Sequence, residues 1–229
     1  MRRAMLLIFG FGIGGMALLA LIWWVKFPDQ GIETIGVFHR DGFYPHSVMG
    51  TDLLAVNTVR YDGPFWEDGS NEMVYGVAGL VVENQSGLLV AGGAVILETE
   101  EDRLVFEISL LPPGGKVLVL EKERRSYTQE TPIACYGWTK EEYPENPGLI
   151  AVEAQGLHSM TLTNHTGCTV PRVEVQYKNY DWDAGMFMGG ISYCVEETDL
   201  MPREVRLLNP ESFSVRESRI VLVLQEMDR

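Results

Sequence analysis

Four histidines, His39, His46, His158 and His165, and three cysteines, Cys135, Cys168 and Cys194, are the side chains best suited to holding a metal or attacking a carbonyl. Their spacing supports neither. No two histidines stand three or four residues apart, and none lies near a cysteine at zinc-ligand spacing. The chain has no GxSxG, SxxK or HExxH, so nucleophilic or metal-assisted hydrolysis has no local basis. Asp181-Trp182-Asp183-Ala184-Gly185 and Glu67-Asp68-Gly69-Ser70-Asn71-Glu72 are oxygen-rich loops of the kind that can hold calcium. Neither continues to a bidentate glutamate, and each reads as a solvated acidic turn. With 32 acidic residues, carboxylate pairs of glycosidase type arise by chance. No catalytic residue, metal or cofactor is expected.

The aromatic residues are the better lead. Tyr61, Phe65, Trp66, Tyr136, Trp138, Tyr180 and Trp182 stand in acidic or Gly-rich, loop-like sequence. Exposed rings beside carboxylates stack on sugars or cations; the alternative is that they fold back and plug the ends of a β domain. Trp66, Trp138, Tyr180 and Trp182 are the expected ligand-binding residues. Three cysteines cannot all pair within one chain, which leaves two readings: a Cys168–Cys194 bridge, or three unpaired thiols. Asn84-Gln85-Ser86 and Asn164-His165-Thr166 have the form of glycosylation acceptors but read as turns.

The elements that must position these residues begin with an apolar run. Ala4 to Val25 carries no charge over 22 residues; as a helix it spans about 33 Å, enough for a hydrocarbon core of about 30 Å. Arg2 and Arg3 precede it and Trp23 and Trp24 close it, so residues 1–26 are expected to be a cytoplasmic tip and an uncleaved single-pass anchor, with the bulk outside the cytoplasm. A cleaved signal peptide is the competing reading, but Trp-Trp-Val-Lys is a poor cleavage site. Gly10, Gly12 and Gly15 match the dinucleotide fingerprint GxGxxG, yet no alternating helices follow to build the sheet it needs.

From Lys26 onward the chain holds 16 basic against 32 acidic residues. That field repels phosphate backbones and anionic lipid surfaces, so nucleic acid and peripheral lipid binding are disfavoured. Period-two segments dominate. Leu104, Phe106 and Ile108 alternate with polar or smaller residues, as do Val173, Val175 and Tyr177, and no later segment keeps helical spacing for three turns. The class is all-β, with one or two antiparallel sandwiches after the transmembrane helix. A weak repeat at an offset of 80 residues aligns Leu80–Gly87 with Met160–Gly167. The expected layout is a stalk at 27–50, a first sandwich repeat at 51–125, a linker at 126–148 and a second repeat at 149–229.

The order Tyr61-Asp62-Gly63-Pro64-Phe65-Trp66-Glu67-Asp68-Gly69, Val82-Glu83-Asn84-Gln85-Ser86, Leu104-Val105-Phe106 and Leu111-Pro112-Pro113-Gly114-Gly115, with Tyr177-Lys178-Asn179 and Gly189-Gly190-Ile191-Ser192-Tyr193 later, resembles uncharacterised membrane-anchored proteins of Firmicutes-type bacteria. Their exported regions are tandem Ig-like modules similar to the FxLYD type, although the Phe-x-Leu-Tyr-Asp signature itself is absent here. The resemblance implies Ig-like sandwiches at the cell envelope and carries no activity. The function expected is a noncatalytic, membrane-tethered interaction module with a protein partner. Its alternatives are a carbohydrate or cell-wall binding module and an accessory subunit of an exported enzyme or secretion complex.

Overall fold

The computed structural model describes residues 36–37, 45–126, 132–142 and 149–226. The expected anchor, residues 1–26, lies outside them. Among the described residues no helix is long and apolar enough to cross a membrane, and their fold is all-β. Its strands are β1 (Gly36–Val37), β2 (His46–Ser47), β3 (Leu53–Phe65), β4 (Glu72–Asn84), β5 (Leu89–Glu98), β6 (Arg103–Leu111), β7 (Lys116–Leu120), β8 (Ala134–Glu142), β9 (Ile150–Gln155), β10 (Ser159–Asn164), β11 (Val170–Asp181), β12 (Met186–Met188), β13 (Tyr193–Leu200), β14 (Val205–Leu208) and β15 (Ser218–Glu226).

Two lobes follow from the pairing. In the first, the layer β3-β4-β7 faces the layer β6-β5-β8. Leu53, Ala55, Ala78, Leu80, Val82, Val117 and Val119 from one layer meet Val90, Val95, Leu97, Leu104, Phe106, Ile108, Leu111 and Cys135 from the other in one buried cluster. Each Val, Leu, Ile or Phe among them contributes roughly 1.5–3 kcal/mol on burial, and side chains pointing alternately to the two faces of a strand select the inward set. In the second lobe, β9-β10-β14 faces β13-β11-β15. Ile150, Met160, Leu162 and Leu208 close on Val170, Val173, Val175, Tyr177, Leu200 and Val223, with Phe213 as a lid.

The lobes repeat each other strand for strand, and a buried asparagine marks the same point in each. Asn84 ends β4, donating from Nδ2 to the carbonyls of Leu88 and Leu111 and accepting from the Ser86 amide and hydroxyl. Asn164 ends β10, donating to the carbonyls of Cys168, Leu200 and Met201 and accepting from Thr166 in the same two ways. Both side chains are fully buried and serve as turn knots. Val90 faces Leu111 and Leu97 faces Leu104 in the first lobe; Val170 faces Leu200 and Tyr177 faces Tyr193 in the second. The second hairpin is thus nine residues longer, and the extra chain carries β12.

Three expectations are corrected. Residues 126–148 are not simply a linker: β8 lies among them and pairs with β5 along its length. Ala134-Cys135-Tyr136-Gly137-Trp138 alternates weakly, and its glycine and flanking charges hide the strand. The stalk ends earlier than residue 50, because Val48 is buried in the first core and Met49 exchanges backbone hydrogen bonds with β8. The pairing is not wholly antiparallel: β12 runs parallel to β7, with Phe187 opposite Val117 and Met188 opposite Leu118.

Candidate functional site

The insertion between β11 and β13 builds the junction of the two lobes. Asp181 turns the chain, its Oδ1 accepting from the amides of Asp183 and Ala184 at 2.9 Å while Gly185 N–H donates to its carbonyl. This is an Asx turn, so the carboxylate is satisfied internally. Met186–Met188 then pairs with both β11 and β7 and makes one sheet continuous through both lobes. Phe187 enters the core of the first lobe. Gly189 follows with φ +80° and donates to the Leu118 carbonyl at 2.7 Å. Any Cβ there would sit 2.9 Å from Cβ of Trp66, so both its conformation and its neighbour require glycine.

A polar network crosses the same junction. Glu67 Oε1 accepts from Leu120 N–H at 2.7 Å and its Oε2 accepts from Gly190 N–H, so one carboxylate ties β7 to the end of the insertion. The Ser109 hydroxyl donates to the Gly190 carbonyl. Lys178, 0% exposed, donates from Nζ to the Ser109 carbonyl at 2.5 Å. Burial pushes the Glu67 carboxyl up to about 7, against its two amide donors and the Lys178 charge. Burial likewise pulls the Lys178 ammonium down to about 7, with Glu67 opposing. A second, apolar contact between the lobes joins Leu89 and Leu110 to Leu222. Neither Glu67 nor Lys178 stands out in the sequence: the first is one acid in an acidic loop, and the second follows an alternating strand where lysine normally reaches solvent.

A cleft of about 200 Å³ opens beside Glu67, lined by Phe65, Asp68, Glu107, Leu120, Lys122 and Arg124. Its charges are engaged with one another. Arg124 lies over the Phe65 ring at 4.5 Å and pairs with Asp68 at 2.8 Å and Glu72 at 2.6 Å; Lys122 pairs with Glu107. Hydrogen bonds from Ser70, with Arg124 beside it, hold the Asp68 carboxyl down to about 2. The acidic loop 67–72 is therefore neutralised by Arg124 and Glu67's amide donors. Among the described residues no group of three or more His, Cys, Asp or Glu side chains could hold a metal ion.

The expected aromatic residues are distributed, not gathered. Trp66 packs on Tyr61, with ring centroids 5.8 Å apart, and backs onto Gly189, which makes it part of the junction. Trp138 stands more than half exposed on β8, opposite Ala94. Of the four expected ligand-binding residues, all of them described, only Tyr180 and Trp182 meet each other, edge to face at 4.7 Å. Tyr180 in turn packs on Phe187 at 5.0 Å, and the Arg219 guanidinium lies 5.1 Å from its ring centre. Trp182 is more than half exposed at the hairpin turn. Among the described residues no ring contact joins Trp66, Trp138 and Trp182 to one another.

The cysteines are all free. Cys135 is buried, with its thiol pushed up to about 11 by desolvation. Cys168 and Cys194 are exposed and unbridged, which removes the pairing left open by their count. His158 lies 3.1 Å by Nδ1 from the Phe213 carbonyl, and His39 lies outside the described residues. Compared with known protein families and with curated proteins, the chain matches no family model and no curated protein.

Proposed function

We propose that this chain is a noncatalytic interaction module, tethered by its apolar leader to a membrane and presenting Ig-like β domains outside the cytoplasm to a protein partner. The observation that carries the reading is the fixed presentation of Trp182. Its ring is exposed, yet the turn beneath it is closed by Asp181 and its flank is packed on Tyr180, which Phe187 and Arg219 hold in turn. A large ring presented on a rigid element with an arginine nearby has the make-up of a binding hot spot, because little entropy is lost when it is covered. The 32 acidic against 18 basic residues favour a partner whose contact face is basic.

The test is site-specific photo-crosslinking from position 182 in the full chain in cells, with position 157 in the β9–β10 turn as a control. A defined protein adduct from 182, absent from 157 and reduced at least fivefold by Tyr180→Ala, is expected. Adducts only to glycan, or equal adducts from both positions, reject the protein-partner reading.

A further inference from the structure

The second lobe carries a strand edge whose counterpart in the first lobe is occupied. In the first lobe, β7 pairs with β4 on one side and takes β12 on the other. In the second, β14 pairs with β10 in the same register: Leu207 faces Thr161 where Leu118 faces Val81, and Val205 faces Thr163 where Lys116 faces Glu83. Among the described residues nothing pairs with the other side of β14. The outer-face side chains of the two strands also differ in exposure. Leu118, beside Met188 across the β7–β12 ladder, is 0% exposed, whereas Leu207 is 55% and Val205 63% exposed. Leu208 enters the lobe core and so sets these two on the outer face. Met201, exposed in the turn leading into β14, lengthens the apolar strip.

An open edge with unpaired backbone groups and apolar outer residues is a template for strand addition unless charge blunts it. The one charge on β14 is Arg206, and it is committed to the lobe's own rim. Its guanidinium pairs with Glu197 and Glu204 at 2.9 Å and donates to the carbonyls of Thr198 and Asp199.

Resting on the reading of the chain as a protein-binding module, we infer that the outer edge of β14 is a strand-acceptor site for an extended segment of the partner. The segment adds parallel to β14, as β12 adds to β7. In the β12 register, the residues flanking Val205 and Leu207 are apolar, in the places of Met186 and Met188. The residue opposite Arg206, in the place of Phe187, is small and uncharged, because that arginine already holds two carboxylates. A second copy of this chain does not fit: its own β12 is already engaged, and pairing β14 with β14 brings together two chains of net charge −14.

The probe is the dye-labelled octapeptide Ala-Gly-Met-Ser-Met-Gly-Gly-Ile, which is the β12 segment with serine opposite Arg206, titrated with the full chain by fluorescence anisotropy. Saturable binding is expected, weakened at least tenfold by Leu207→Lys and separately by Val205→Lys, and unchanged by Leu157→Lys. Thermal unfolding of each variant close to that of the parent shows that the fold is intact. Of two peptides N-methylated on alternate amides, one keeps binding and the other loses it, because only one set of amides faces β14. Three results each overturn the inference: no saturable binding, equal binding by the lysine variants or by both methylated peptides, or self-association of the chain that Leu207→Lys abolishes. Protein adducts from position 182 that persist alongside such a failure leave the module reading standing; their absence removes that reading first.

Discussion

Lys178 and Glu67 titrate at opposite ends of the pH scale in an unfolded chain and near the same pH in the folded one, so each leaves its own mark on stability. Glu67 moves from 4.5 to about 7. The folded state then holds the proton more tightly, and the stability this confers is complete below pH 4.5 and is lost as pH rises through 7. Lys178 moves from 10.5 to about 7. The folded state holds that proton more weakly, so its contribution is least below pH 7 and recovers as pH rises toward 10.5. Melting temperatures measured from pH 4 to 10.5 for the full chain, Glu67→Gln and Lys178→Met should therefore diverge in separate windows. Relative to Glu67→Gln, the parent loses stability between pH 4.5 and 7; relative to Lys178→Met, it gains between pH 7 and 10.5. Parallel curves would show that neither group is desolvated at the junction. Sequence offers no warning of this pair, since both are buried at a junction that links them through Gly190 and Ser109, which no local pattern encodes. The asparagine knots are different: Asn84 and Asn164 each precede Ser or Thr and Gly after a strand, and that turn chemistry is local and readable.

The strand β12 shows how an element of three residues can hold a whole edge. Phe187 belongs to the second lobe by connection and to the first lobe's core by packing, so Phe187→Ala opens a cavity at a distance from the chain segment that lines it. Truncating a buried phenylalanine costs about 3–5 kcal/mol. Chemical denaturation should show a loss of that size, and it should fall on the first lobe, read by quenching of Trp66, before the second. A loss below about 1 kcal/mol would mean that β12 rests on the edge without filling the core. Most strands were legible: β3, β6, β10, β11, β13 and β14 alternate between more and less buried positions, and β4, β5, β7 and β15 are apolar runs set off by turns. The remaining strands fell below that signal for physical reasons. Met186-Phe187-Met188 is short and bounded by glycines, β8 carries Gly137 and an exposed Trp138, and β9 turns mostly polar residues to solvent. The repeat offset of 80 residues holds for Leu80–Gly87 against Met160–Gly167, and the longer second hairpin shifts the alignment beyond it.

At the scale of the molecule the question is whether two lobes with separate cores unfold as one. Among the described residues they are coupled by the β7–β12 ladder, the Leu89–Leu110–Leu222 cluster, the packing of Tyr180 and Val221 on the first core, and the network of Glu67, Ser109, Lys178 and Gly190. Gly190 sits at the centre of the polar network: its backbone meets Glu67 and Ser109 together, and a Cβ on it would strike the Glu107 carbonyl and the Glu67 carboxylate. The Glu107 carbonyl belongs to β6 and cannot yield as a side-chain end can. Gly190→Ala must therefore push the insertion away from the first lobe while leaving both lobe cores, which contain none of these atoms apart from Phe187, largely in place. Calorimetry of the full chain should show one transition for the parent and two for Gly190→Ala, the lobe that lost Phe187 melting first. A single transition that merely shifts downward would place the coupling elsewhere, in the apolar cluster around Leu222, and Leu222→Ala would then be the variant that divides the unfolding.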